Sequence, residues 1–202
     1  MPLITTPSPR LRRLAALGLT AALAAGTAAA PAAASGPRAH IATHRACANQ
    51  NVNAAKAPAQ LVRDAVVCLV NQQRSRNGLP KLHESRLLDR SAQHWAHTMI
   101  ASGDFTHGAS FSARISAVGF AWSSAGENIA SGYPTPRAVV GAWMASTGHC
   151  QNILNPTFTR VGTGVTPHTV GGYSGGATWA QDFALPRGAR APSHNWGPAS
   201  RC

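Results

Sequence analysis

Three short stretches set a side chain capable of acid–base or metal chemistry among small or turn-forming residues: "FTHGAS" (105–110) with His107, "GENIA" (126–130) with Glu127, and "STGHCQN" (146–152) with His149. Two imidazoles and a carboxylate are a recurrent donor set for a divalent metal such as Zn²⁺, with one position left open for water or ligand. Without a metal, Glu127 or His149 can serve as a general base, which makes these two the catalytic candidates. The separations of 20 and 22 residues match no ligand-spacing rule, so on spacing alone separate hydrogen-bonded turn residues are the plainer account.

Cys150 stands directly beside His149. A thiol nucleophile with a histidine base needs both side chains on one reacting atom. Adjacent residues project about 100° apart on a helix and to opposite faces of a strand, so a His149 that lines a cleft turns Cys150 elsewhere. His94 and His97, three apart, can also share a metal, but no carboxylate accompanies them and a polar helix face is the simpler reading. Ser110, three residues after His107, is a nucleophile candidate of little weight, because serine is common in turns.

The elements that position these residues come after a leader. Arg10, Arg12 and Arg13 precede an apolar run from Leu14 to Ala30 that closes on Ala32, Ala33 and Ala34. This reads as a signal peptide over 1–34: the run is Ala-rich, broken by Gly18 and Gly26, and short of the roughly 20 strongly apolar residues of a spanning helix. An exported, extracellular protein with no membrane span is expected. The 168 residues left by this leader suit one domain.

Taking the leader's three arginines from 18 Lys and Arg leaves 15 against 6 acidic residues, a formal +9. Outside a cell that charge favours an anionic cell-wall polymer, lipid headgroups or an acidic protein partner; the basic residues are scattered and form no nucleic-acid motif. A monomer is expected. Four cysteines in an oxidising compartment imply two disulfides. Of the three pairings the local one is expected, Cys47 with Cys68 and Cys150 with Cys202, contributing roughly 3 and 4 kcal/mol by chain entropy.

Residues 35–58 show no apolar period and read as an extended arm fixed at Cys47. A first helix is predicted over 59–77, with Leu61, Val62, Ala65, Val66 and Leu69 on one face and Gly78 and Pro80 beyond it. A second, 85–102, carries Leu88, Ala92, Trp95 and Met99, with Gly103 after its last turn. A short helix follows over 111–118. A third long helix starts at Thr135 and Pro136 and carries Val139, Val140, Trp143 and Met144 towards Gly148. Strands are predicted at 125–130, 159–166 and 177–184, the last two forming a hairpin. Together these give an α+β domain, a small antiparallel sheet covered by helices.

The wording and order of these stretches resemble the CAP superfamily of cysteine-rich secretory, antigen 5 and pathogenesis-related proteins, in its bacterial secreted branch. The stretches are "LVNQQRSRNGLPKLHES" (69–85), "AQHWAHTMIASGDFTH" (92–107), "GENIASG" (126–132), "VVGAWMASTGHCQNILNPTFTRVGTGV" (139–165) and "WAQDFA" (179–184). They span about 115 residues in the family's order. The resemblance implies an α-β-α sandwich over 59–202, including a disulfide-tied tail, and a cleft lined by two histidines and two acids that can hold a divalent metal. By motif, His107, Glu127 and His149 are three of the four. The fourth aligns near Ser146 in "WMAS", a hydroxyl in place of a carboxylate, so that any metal would be weakly held and none is required. Asn128 and Asn152 stand where they can orient the cleft residues.

Two functions follow from this reading. One is a non-catalytic extracellular binding module whose cleft or basic surface takes a lipid, a sterol, a cell-wall polymer or a protein. Trp95, Trp122, Trp143, Trp179 and Phe183 can line a groove or fill a core, and core suits most of them. The alternative is a hydrolase using a metal on His107, Glu127 and His149, or Glu127 or His149 as base.

Overall fold

The computed structural model describes residues 46–171, 175–192 and 202, all within one compact unit, Thr43–Cys202. The expected leader (1–34), the first part of the arm (35–45), the loop residues 172–174 and the tail residues 193–201 lie outside the described residues.

The elements run α1 (Ala59–Arg76), β1 (His83–Glu84), α2 (Arg86–Ser102), α3 (Phe111–Ala117), β2 (Trp122–Tyr133), α4 (Pro136–Met144), α5 (Thr147–Ile153), β3 (Arg160–Thr166) and β4 (Ala177–Pro186). Apolar spacing sets α1: Val62, Val66, Leu69 and Val70 are buried on one stripe. Leu61, expected on that stripe, sits at its margin in the first turn and stays 40% exposed. Gly103, in the left-handed region at φ 73°, ends α2. Thr135 caps α4 by accepting from the Ala138 amide at 3.1 Å, with Pro136 in the first turn.

The expected third long helix is two. It stops at Met144, and Ser146, in extended backbone at φ −108° and ψ 122°, opens α5. Ser and Thr favour helix starts, so "ST" restarts the helix here and Gly148 falls inside α5 instead of ending α4. Cys47 and Ala54, in the turns before α1, are buried in the core, and Cys47 is bonded to Cys68.

The sheet order is β1-β3-β4-β2. β3 pairs antiparallel with β4, and β4 with β2, as the hairpin and third strand predicted. The two-residue β1, absent from the sequence reading, adds a parallel edge beside β3. On one face Val62, Val66 and Val70 of α1 and Val139, Val140 and Trp143 of α4 pack with Val161, Val165, Trp179 and Phe183. On the other, Ala92, Ala96 and Met99 of α2 meet Ile129 and Ala180, while Ile115 of α3 meets Ala184. The fold is therefore an α-β-α sandwich.

Gly162 and Gly164 explain how α2 lies so close to the sheet. A Cβ on Gly162 would stand 2.2 Å from the backbone of Leu88 and Asp89, and one on Gly164 would stand 2.3 Å from that of Ala92. Only glycine admits the helix at this distance. On the opposite side the fully buried Arg74 donates to the carbonyls of Pro80 (2.8 Å), Ile153 (2.9 Å), Asn155 (2.8 Å) and Phe158 (3.3 Å). Burial without a carboxylate lowers its pKa to about 10, so it stays charged at neutral pH and clamps α1 to the end of α5.

Candidate functional site

The site is built across β2, the edge strand of the sheet. Glu127 stands opposite Asp182, and Asp182 opposite Gly162, so all three share the face covered by α2. The Glu127 side chain is only 1% exposed, and both its oxygens are occupied. His107 Nδ1 lies 2.8 Å from Oε1; a carboxylate only accepts, so the proton of that bond sits on Nδ1. Arg114 donates to Oε2 at 2.5 Å.

The loop carrying His107 is pinned from three sides. Arg114 donates to the His107 carbonyl at 2.9 Å, and its guanidinium carbon lies 3.8 Å from the centre of the Trp95 ring. Trp95 in turn donates to the Thr106 carbonyl at 3.0 Å. Gly108 has φ 67°, and a Cβ there would strike the Trp95 ring at 2.6 Å. Ser110 accepts from the Ala113 amide at 3.2 Å; its hydroxyl caps α3 and so helps set Arg114, which is a structural task and not a nucleophile's.

His149 comes from the other layer, on α5. Asn152 donates to the Glu127 carbonyl at 3.0 Å and to Asn128 Oδ1 at 2.9 Å, and Asn128 donates to the His149 carbonyl at 3.3 Å. These two amides lash α5 to the edge of β2. Gly126 permits it, since a Cβ there would stand 2.9 Å from the Phe158 ring and 3.0 Å from Asn152 Oδ1. His149 Nδ1 is buried with no hydrogen-bond partner among the described residues. Burial first, and the nearby His107 second, lower the pKa of His149, which favours the neutral ring. Cys150 turns away into the core and is bonded to Cys202 with Cα atoms 5.7 Å apart. Next to His149 opens a groove of about 430 Å³ lined by Phe105, Ala130, Ser131, Tyr133 and Val170.

Residues 67–183, carrying all of these groups except Cys202, match the family model described as CAP, the cysteine-rich secretory protein family. The chain belongs to this family. It is 36% identical over 161 residues to the uncharacterized protein YkwD of Bacillus subtilis (strain 168), covering 70% of this chain and 59% of that one. It thus spans less than two thirds of that relative's length. Among solved structures, an extracellular protein containing an SCP domain from Bacillus anthracis is similar at 27% identity and TM-score 0.53, over 60% of this chain and 39% of that one. An outer surface protein of Borrelia burgdorferi shares the fold at 19% identity and TM-score 0.51, over 58% of this chain and 87% of that one.

Among the described residues no three His, Cys, Asp or Glu side chains converge to hold an ion. Glu127 has no oxygen free of a partner, and Ser146, half-buried at the start of α5, makes no hydrogen bond to His107, Glu127 or His149. His94 and His97 are exposed on α2, the latter 3.0 Å from the Gln93 amide, as a polar helix face requires. Trp143, Trp179 and Phe183 are core; Trp95 supports the site, and Trp122 donates to the Ser116 hydroxyl at 3.0 Å.

Two residues of the site escaped sequence reasoning. Arg114 lies in an unremarkable helical turn, and only its place seven residues after His107 hinted at a role. Asp182, in the middle of a buried strand, was the stronger signal, because an unpaired acid there conflicts with its surroundings. Burial raises its pKa to about 7; the Ser91 hydroxyl on α2 opposes this, Glu127 adds to it, and Arg114 opposes it. A second groove, of about 510 Å³, runs along α1 past Asp64, Asn71, Ser75, Lys81 and Glu84 and contains none of the site residues.

Proposed function

We propose that the protein is an exported binding module that takes its ligand in the groove beside His149 and catalyses no reaction. The observation that carries this is the double engagement of Glu127: His107 on one oxygen and Arg114 on the other balance its charge, which supports an organising role for the carboxylate over that of base or metal ligand. Ser110 is engaged as a cap, and no cysteine among the described residues is free. Export is supported by the two disulfides and by the extracellular neighbour, and no helix of the described residues is long and apolar enough to cross a membrane.

The groove favours a ligand with an apolar portion, such as a lipid, a sterol or an acylated wall fragment. Phe105 is 49% exposed at its rim, unusual for so large an apolar side chain, and Tyr133 and Val170 continue the apolar wall. The test is binding of lipid vesicles, sterols and wall fragments to wild type and to Phe105→Ser. Loss of about ten-fold in affinity on that exposed substitution is expected. Binding indifferent to Phe105 and to His149→Ala, or no binder at all, would overturn the reading.

One observation favours the alternative, a metal-independent hydrolase: His149 is neutral, partly buried and has an unpartnered Nδ1. Hydrolysis of peptide or ester substrates that disappears in His149→Ala would select it.

A further inference from the structure

We infer that Arg114 is the resident cation of the cleft, assembling it and closing it to divalent metals. The inference holds whatever the groove binds. A carboxylate as buried as Glu127 needs an opposite charge and hydrogen bonds to stay ionised. Arg114 supplies both: one nitrogen lies 2.5 Å from Oε2, and another donates 2.9 Å to the carbonyl of His107, the residue holding Oε1.

The guanidinium is also built in. Its central carbon lies over the Trp95 ring, its side chain is 15% exposed, and Gly108 leaves space for both groups, since a Cβ there would approach Trp95 at 2.6 Å and Arg114 at 3.3 Å. It cannot leave by losing a proton, because arginine remains charged throughout the physiological range.

A dication would have to compete with a charge and hydrogen bonds already in place. Each Glu127 oxygen keeps one lone pair beyond that accepting from His107 or Arg114, but an ion there would have to share the carboxylate with both groups, and Nδ1 of His107 already faces it. What remains without a protein partner is the far nitrogen of His107 and Nδ1 of His149, and the charge of the one carboxylate beside them is already balanced by Arg114. An ion on the Glu127 oxygens would in addition face the guanidinium at contact distance, where like charges repel strongly in a partly buried site. Arg114 therefore does for this cleft what a metal would do, and does so permanently.

The test is Zn²⁺ binding by calorimetry and thermal shift on protein dialysed against a chelator, using wild type, Arg114→Ala, Arg114→Gln and the double variant Arg114→Ala with Glu127→Ala. Wild type should retain no stoichiometric metal, and Zn²⁺ should leave its melting temperature unchanged. Arg114→Ala should melt lower than wild type and bind Zn²⁺ at least about ten-fold more tightly, recovering part of the lost stability through ligand linkage. Removing Glu127 as well should abolish that gain. Arg114→Gln keeps a donor for Oε2 without the charge and should fall between; should Arg114→Ala not fold, it carries the comparison. Stoichiometric Zn²⁺ in dialysed wild type, variants that bind no better than wild type, or binding that survives loss of Glu127 would each overturn the inference. None of these readouts involves the groove ligand, so failure here and failure of the binding reading remain distinguishable.

Discussion

Glu127 and Asp182 stand directly opposite each other on neighbouring antiparallel strands, both buried, and only Glu127 has an arginine and a histidine on its oxygens. Two carboxyl groups this close divide their roles: Glu127 is engaged by partners on both oxygens, while burial pushes Asp182 towards neutrality.

Asp182 should make the protein less stable as pH rises. Its pKa goes from the ordinary 3.8 up to about 7 in the folded protein. Between those values the native state keeps a proton that the unfolded chain has lost, so unfolding free energy falls across that window and is unaffected below it. Asp182→Asn keeps the shape without the charge. The expected result is a flatter profile and a gain on the order of 2 kcal/mol at pH 8 relative to wild type. Denaturant unfolding from pH 4 to 8 checks it; identical slopes in the two proteins would refute the assignment.

His149 should act in the opposite direction. Its folded pKa lies below 6.5, so above 6.5 the ring is neutral in both states, and as pH falls through its folded value the unfolded chain takes up a proton first. Stability conferred by the neutral ring is lost on that acid side. The ring proton signals of His149 should titrate with a midpoint below 6.5, and His149→Asn should lessen the acid-side loss. A midpoint at or above 6.5 would contradict the burial argument.

Much of the scaffold was legible because its determinants are local. The stripe Val62, Val66, Leu69 and Val70, the Thr135–Pro136 start and the αL stop at Gly103 each act within one or two turns. The fold class and the disulfide pairing were also legible, and the family wording singled out His107, Glu127 and His149 as candidates. Arg114 was not, because a buried partner 13 residues away on another element leaves no period in the sequence. The same holds for Arg74, whose carbonyl partners at Ile153, Asn155 and Phe158 lie about 80 residues on. The break between α4 and α5 was misread since Ser146 and Thr147 can end one helix or begin the next, and only the docking of Cys150 and Ile153 in the core decides.

Gly162→Ala should be among the more damaging single methyl additions. The new carbon would sit 2.2 Å from the α2 backbone, which is main chain and cannot rotate aside. Displacing α2 disturbs Trp95 and hence Arg114 and Glu127. Overpacking of this kind costs roughly 1–3 kcal/mol, and more where backbone must shift. Gly148→Ala, where nothing stands within 4 Å, is the control and should be neutral or slightly stabilising. Thermal unfolding of the pair distinguishes close packing from a general intolerance of alanine.

The two disulfides should differ in what their loss does. Cys150–Cys202 closes a separation of 52 residues and Cys47–Cys68 one of 21. Chain entropy assigns them about 4 and about 3 kcal/mol. The larger bond also holds α5, so Cys150→Ala with Cys202→Ala should free the helix that presents His149 and move the His149 titration back towards 6.5 as the ring gains water. Cys47→Ala with Cys68→Ala should lower stability without moving that titration, because α1 remains tied to α5 through Arg74. Denaturant unfolding and the His149 ring signals, measured on both double variants, separate the two effects. No shift of the His149 midpoint in the Cys150/Cys202 variant would show that α5 is held by packing alone, and a shift in the Cys47/Cys68 variant would show that the Arg74 clamp does not suffice to hold it.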